Sequence, residues 1–500
     1  MDLSAGFLDA ARALIRADTV SIHGTSAAVD LLEPLYERAG LAVRRQTLRL
    51  SIDGAPEADH VNVLAGPGGL GPGPSAGPSR GAISGGVLLV THLDTVPPGP
   101  HERWTETGGD PWALTEKDGT LFGLGCADVK LDALCKAEAA RRLKGRKLVL
   151  PFWLLGTFGE EVGLRGARHF AESPLFAQEV KPRFVLCGEP SELQLICAHK
   201  GYAVVRCTVR DAKARLVSSS GPGIEELTFA GKAVHSSTPH LGVNAIHRAL
   251  AWAQASGAPV LSVRGGAAAN VVPASCVVQV PAPRERGEPA PDQMKLVPPT
   301  GLRPNLWRAL ATAGALEDLW KQLLAEQVPA LDARFDPPGA VGGMNLIDSQ
   351  AEESPADAVY GAGSVAVTFD ARLLPEHDPD ALLRQFETRA AAWVARLGKG
   401  ELSFAISVER NATGMSLGED AELVRRVSRT LAGRGLDATP RRKPTSTEAG
   451  VFARKGCEAI VLGPGRSTGN AHTANERIEL AQLGIAVDLY ESLIVDLCGT

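Results

Sequence analysis

The sequence predicts an α/β protein: a mixed, largely parallel sheet sandwiched by helices, with a second α+β domain inserted into it. Three observations point there. The runs GVLLVT, KLVLPFWLLGT, RFVLCG and EAIVLG are continuously apolar, as strands buried on both faces should be. Helical and strand patterns alternate from residue 1 to about 197. From about 198 the texture changes to half-polar alternation, and the buried-strand texture returns near 457. The predicted organisation is therefore a first part at 1–197, an inserted domain at 198–412 and a closing part at 413–500.

Taken in order, MDLSAGFLDAARALIRADTV reads as an amphipathic helix, with Phe7, Leu8, Ala11, Leu14 and Ile15 on one stripe. It lacks the apolar core and small-residue cleavage site of a signal peptide. The Gly/Pro/Ser-rich segment 66–86 lies between VNVLA and GVLLV and reads as a surface loop joining two strands. In the inserted part, YAVVRCTV, EELTFAGKAV, ANVVPASCVVQV and SVAVTFDARLL alternate as half-buried antiparallel strands do. Helices are predicted at 244–256, around 303–327 and at 378–396.

Composition narrows the function classes. A net charge of -5 and a pI near 6.2 give no basic face for nucleic acid. No apolar run approaches the roughly 18 residues that a membrane span requires. The eight cysteines form no CxxC pair, and Cys187, Cys207 and Cys276 fall in predicted strands, where a free thiol acts as a small hydrophobe. The expectation is a reducing, cytoplasmic compartment, with no disulfide and no cysteine-ligated zinc.

The chemistry collects at strand ends. His92 closes the first run, and Asp94 two residues on can reach its other ring nitrogen and fix the tautomer. Asp128 opens a helix after the glycine-rich turn GLGCA, as an N-cap or as a carboxylate that bridges two cations. Glu160 and Glu161 end the second run side by side; like charges there need a cation, with Glu161 as ligand and Glu160 free as a general base. Glu189 follows the third run, and His472 lies in the glycine-rich loop after the fourth. Open α/β sheets bind ligands at the carboxyl ends of their strands. Two histidines with three carboxylates suit a pair of divalent ions, Zn²⁺, Mn²⁺ or Co²⁺, and ligand softness does not choose among them.

In order along the chain, HLDTVP, GLGCADVK, TFGEEVG, CGEP, GKAVHSSTP, NVVP, DARLLP, LGPG and AHTANE resemble the di-zinc amidohydrolases. That family includes acetylornithine deacetylase, succinyl-diaminopimelate desuccinylase, aminoacylase-1 and glutamate carboxypeptidase. The stretches HLDTVPPGPHERWTETGGDPWALTEKDGTLFGLGCADVK, CGEPSELQLICAHKG and HSSTPHLGVNAI look most like acetylornithine deacetylase.

The resemblance implies His92 and Glu189 on one metal, Glu161 and His472 on the other, Asp128 bridging, and a cis peptide after Asp128. It implies that Glu160 shuttles the proton during hydrolysis of an N-acyl amide on an amino acid. It further implies that the inserted domain is a lid and dimerisation domain, whose His235 reaches the active site of a neighbouring subunit. Arg372 is the candidate for the substrate's α-carboxylate, against a competing ion pair with Asp370 or Glu376. Asn270 and the backbone of Gly463 or Gly465 are further substrate contacts, and Glu448 is a partner for an ornithine ammonium or a helix cap. The same chemistry admits a desuccinylase, a metallo-carboxypeptidase or a dipeptidase; a non-catalytic binding protein on the same fold is the remote alternative. Two departures stand out: Leu131 where the family usually has glycine, and an inserted domain enlarged around 211–224 and at 281–360.

Overall fold

The computed structural model describes residues 3, 6–52, 54–68, 85–218, 223–282, 291–297, 302–328, 332, 334–335, 338–353 and 358–499. Most of the 66–86 segment and parts of 281–360 lie outside the described residues. The chain divides into two compact units, Met1–His199 with Met415–Thr500, and Lys200–Gly414.

The first unit is built on a nine-stranded mixed sheet. Its centre is parallel: Phe152–Thr157, Val87–His92, Phe184–Gly188 and Glu458–Val461 lie side by side in that order. Antiparallel strands flank them, Ala58–Gly66 and Ala42–Leu50 on one side and Ile196–His199 on the other. The period of two explains the continuous hydrophobicity of the central strands. Val87, Leu89, Phe184, Leu186 and Ile460 join one core layer, under helices Phe7–Arg16, Ser26–Arg38, Lys130–Arg142, Glu422–Gly433 and Leu480–Cys498. Leu88, Val90, Val185, Cys187, Ala459 and Val461 join the opposite layer, which also holds Phe170, Phe176 and Phe452.

All eight cysteines are free thiols. Among the described residues no helix is long and apolar enough to cross a membrane.

The second unit has its own nine-stranded sheet, antiparallel throughout. The long strand Gly201–Ser218 pairs with Tyr360–Leu373 and with Leu402–Ala412. Helix Ala245–Ser256 starts where Asn244 Oδ1 accepts from Ile246 N and His247 N, and Pro379–Gly398 starts with Asp378 as cap and proline at the first position. The enlargement is structural: helix Trp307–Gln327, inside the 281–360 insertion, buries Leu310, Leu316, Trp320 and Leu323 in this unit's core.

Close packing also sets the turn that carries Glu160 and Glu161. Gly166 N donates to Phe158 O at 2.7 Å, and buried Asn62 bonds both Gly166 O and Phe158 N. A Cβ at Gly166 would lie 2.5 Å from Phe158 N and O. Gly166→Ala is therefore expected to cost about 1–3 kcal/mol, read as a lower midpoint in chemical unfolding. An unchanged midpoint would show that this turn repacks freely.

Candidate metal centre

The parallel strands all end on one side, so their following residues meet. His92 is the last residue of its strand and is buried, 1% exposed. Its Nε2 faces Asp128 Oδ1 at 3.2 Å, while His472 Nε2 faces Asp128 Oδ2 at 3.3 Å and Glu161 Oε1 at 2.9 Å. Asp128 thus presents one oxygen to each histidine, and the peptide from Asp128 to Val129 is cis. Two groups of donors lie within 4.8 Å of one another: His92 with Glu160 and Glu161, and Asp128 with Glu161 and His472. Imidazole nitrogens converging with carboxylates are a donor set that fits divalent first-row cations.

Glu189 lies outside both groups and instead accepts from the Lys443 ammonium at 3.2 Å. Asp94 acts differently from the sequence reading. The partner of His92 Nδ1 is the main-chain carbonyl of Asp94, at 3.0 Å, and the carboxylate stands 3.8 Å away. That carboxylate accepts from Ser21 Oγ and from the main-chain N–H of Glu160 and Glu161. It therefore orients the two-carboxylate turn, and the ring tautomer is set by the backbone.

The electrostatics follow from crowding. Burial pulls His92 down, but the hydrogen bond to Asp128 and the charges of Glu160, Asp128 and Asp94 outweigh it and raise it well above its ordinary value. Glu161, above all, pushes His472 up to about 11. Burial, then the neighbouring Glu189 charge, raises Glu160 well above the usual carboxylate range. Burial raises Asp128, but hydrogen bonds from both histidines reverse this and hold it low. In this arrangement protons on the histidines do what a divalent cation would do in their place.

The remaining sequence candidates divide between the units. Glu448 is 2% exposed, immediately precedes helix Ala449–Ala453 and makes no side-chain capping bond. Its Oε1 has no hydrogen-bond partner among the described residues, and burial raises the carboxyl to about 7. The N–H groups of Gly463 and Gly465 are already engaged, by Ser191 Oγ and Gln482 Oε1, which leaves them no donor for a substrate carboxylate. Gly463 serves close approach instead: a Cβ there would lie 2.6 Å from Glu189 O.

In the second unit, Arg372 is 5% exposed and its guanidinium stacks on the Tyr202 ring at 3.8 Å. Among the described residues it forms no ion pair with Asp370 or Glu376. Arg372 Nη2 is 3.5 Å from His235 Nε2. On the other side of the ring, Ser237 N donates to His235 Nδ1 at 3.1 Å and Ser237 Oγ lies 2.6 Å from the same nitrogen. Asn270 adjoins this cluster, its carbonyl accepting from Ser236 N.

Two residues of the site escaped the sequence reading. Glu476, 1% exposed, accepts from the main-chain N–H of Gly125, Ala127 and Asp128 at 3.0, 2.7 and 2.9 Å. Its signal was the carboxylate four residues after His472. Lys443 was visible only as the last of three basic residues in PRRKP.

The fold and the site together define a mixed α/β unit, interrupted in sequence by an inserted unit, with a candidate metal centre at its strand ends. The chain belongs to peptidase family M20/M25/M40, which it matches over residues 88–496. This is in keeping with the family expected from the motif order. It is similar to acetylornithine deacetylase of Proteus mirabilis, 38% identical over 166 residues; the match covers 33% of this chain and only 36% of that relative. Its fold is similar to aminoacylhistidine dipeptidase from Vibrio alginolyticus, with TM-score 0.62, 16% identity and coverage of 100% and 98%. It is also similar to a dinuclear metal-binding M20 peptidase from Bacillus subtilis, with TM-score 0.52, 11% identity and coverage of 98% and 97%.

Metal uptake should displace the histidine proton. Because His472 stands at about 11, it carries that proton throughout the neutral range. Apparent metal affinity is expected to rise with pH from 6 to 9, with release of about one proton per coordinating histidine. Calorimetry in buffers of different ionisation enthalpy reads this directly; binding without proton release would overturn either the raised His472 or its role as a ligand, and metal content of His472→Ala separates the two.

Proposed function

We propose that this protein hydrolyses the N-acyl amide of N-acyl-L-amino acids, N-acetyl-L-ornithine foremost, with two divalent ions, zinc first. The observation that carries the reading is Asp128, one oxygen toward His92 and the other toward His472, beside the paired Glu160 and Glu161. His92, Asp128, Glu161, Glu189 and His472 would hold the ions, with Glu189 released from Lys443 to do so. When bound, such ions polarise an acyl carbonyl and lower the pKa of the attacking water.

The chain's own residues do the rest. Glu160, beside Glu161 at the same strand end, takes the water's proton and hands it to the leaving amine. His235 supplies a donor to the developing oxyanion. Arg372, held flat by Tyr202, offers a fork of donors to the α-carboxylate, with Asn270 beside it. Glu448 faces a cationic side chain. Lys443 favours a second reading, an acidic acyl group such as succinyl, because it brings an ammonium into the same set of carboxylates. Metallo-carboxypeptidase or dipeptidase activity is the third member of this set.

Assay of the metal-reconstituted protein on N-acetylornithine, N-succinyl-diaminopimelate and simple dipeptides tests the reading. Turnover of none of them, or full turnover after chelation, would overturn it. Eight free thiols support a reducing, cytoplasmic compartment.

The two adjacent carboxylates should fail differently. Glu160→Gln is expected to keep its metals and lose about 10²- to 10⁴-fold in kcat. Glu161→Gln is expected to lose metal first, measured as metal per chain. Equal metal loss in both would make Glu160 a ligand.

The active species is proposed to be a homodimer joined through the 200–414 unit, with His235 acting in the partner's site. Mixing Glu160→Gln with His235→Ala after dissociation should then restore activity, up to about half of wild type per mixed dimer if the sites are independent. No recovery in verified mixed dimers would assign His235 to its own chain or remove it from catalysis.

A further inference from the structure

Helix Lys130–Arg142 begins two residues after Asp128 and is buried along most of its length, including Lys130, Asp132, Lys136 and Glu138. Two of these charges form a closed knot. Lys136 Nζ donates to Val90 O at 2.7 Å, to Thr91 Oγ1 at 2.7 Å and to Asp132 Oδ2 at 2.5 Å, so all three of its protons are placed. Asp132 Oδ2 also accepts from Thr91 Oγ1 at 2.7 Å, and Asp132 Oδ1 accepts from the Tyr490 hydroxyl. That hydroxyl lies 3.0 Å from Leu462 O. Gly188 packs directly on the knot: a Cβ there would lie 1.9 Å from Asp132 Oδ2 and 2.6 Å from Lys136 Nζ.

Three of these contacts lead to proposed ligands. Thr91 precedes His92, Gly188 precedes Glu189, and Leu462 opens the loop that carries His472. The knot therefore ties together the ends of three of the four parallel strands, and its helix starts two residues after Asp128. Stability gives a weak reason for such a pair, because a buried ion pair is often replaced by apolar residues at no loss. Fixing the geometry of neighbouring ligands is a stronger one, since outer partners orient the groups that bind metal.

We propose that Asp132, Lys136 and Tyr490 are positioning residues of the metal centre, setting the mutual spacing of His92, Glu189 and Asp128 without ligating metal themselves. This rests on the reading of those three residues as ligands.

The test uses the full chain, with Zn²⁺ affinity measured by competition with a chromophoric chelator and with the Co²⁺ absorption spectrum. Two variants leave the shape of the core nearly intact: Tyr490→Phe, and the double variant Asp132→Asn with Lys136→Met. Both are expected to melt within about 4 °C of wild type in the metal-free state. Both should lose about 10- to 100-fold in Zn²⁺ affinity and shift the Co²⁺ spectrum. Leu431→Ala, in the same core layer but on helix Glu422–Gly433, is the comparison: it should lower the melting temperature and leave both metal readouts unchanged. If the double variant does not fold, Tyr490→Phe decides alone. Wild-type affinity in the knot variants, or a loss no larger than that of Leu431→Ala, overturns the inference and leaves the metal reading standing. A wild-type chain that binds no metal overturns both.

Discussion

Everything in the candidate site depends on one clamp: the Glu476 carboxylate on the 123–129 turn. Asp128 can face two histidines from distant parts of the chain only if its own backbone is held still. Glu476 does this by accepting three main-chain N–H groups, from Gly125, Ala127 and Asp128. Its main-chain carbonyl adds a fourth tie, to Gly123 N. Burial and the nearby Asp128 charge raise the Glu476 carboxyl to about 7, and the N–H donors oppose that rise. Since Glu476 lies four residues after His472, one loop delivers both the second histidine and the group that orients Asp128.

A second constraint is charge. Asp128, Glu160, Glu161, Glu189 and Glu448 converge on one region, and such a set repels itself unless something positive answers it. Within the chain the answers are local: protons on His92 and His472, the Lys443 ammonium on Glu189, and a raised Glu448. None is a permanent, closely packed cation at the centre. A chain that gathers this many carboxylates around two imidazoles is built to receive positive charge, which is why the metal reading outweighs a structural acidic cluster.

How much of this could be read from the sequence follows from what each signal depends on. The four central strands were legible because both faces are covered, so every position is apolar; the covering layers take alternate residues of each run. The polar residue after each strand was legible because parallel strands end on one side. The start of helix Lys130–Arg142 was legible after the GLGCA turn, but its burial was not, because its buried charges look like a solvated face until the partners Thr91 and Tyr490 are known. The spacing of Asp132 and Lys136, four apart, was the only local hint. The oxygen that meets His92 Nδ1 was also beyond reach, since carbonyl and carboxylate of Asp94 differ only in geometry. The helix inside 281–360 was visible as a helix, but its place in the core depends on contacts with strands far away in sequence.

The second unit inverts the electrostatic pattern of the first. Where the first collects anions, the second buries a guanidinium, and burial lowers the Arg372 pKa because the charge has left water. Among the described residues its compensation is incomplete: a ring face from Tyr202 and a long contact to His235, with Nε unpaired. A buried cation held this way carries a standing desolvation cost that an anion in the fork would offset. Asp370, two residues away, attracts the guanidinium without pairing with it; it bonds Asn345 and, under burial, is raised to about 6. On the proposed reading the α-carboxylate of the substrate is that anion. His235 belongs to the same cluster: Ser237 engages its Nδ1, and Nε2 is the ring nitrogen left beside Arg372.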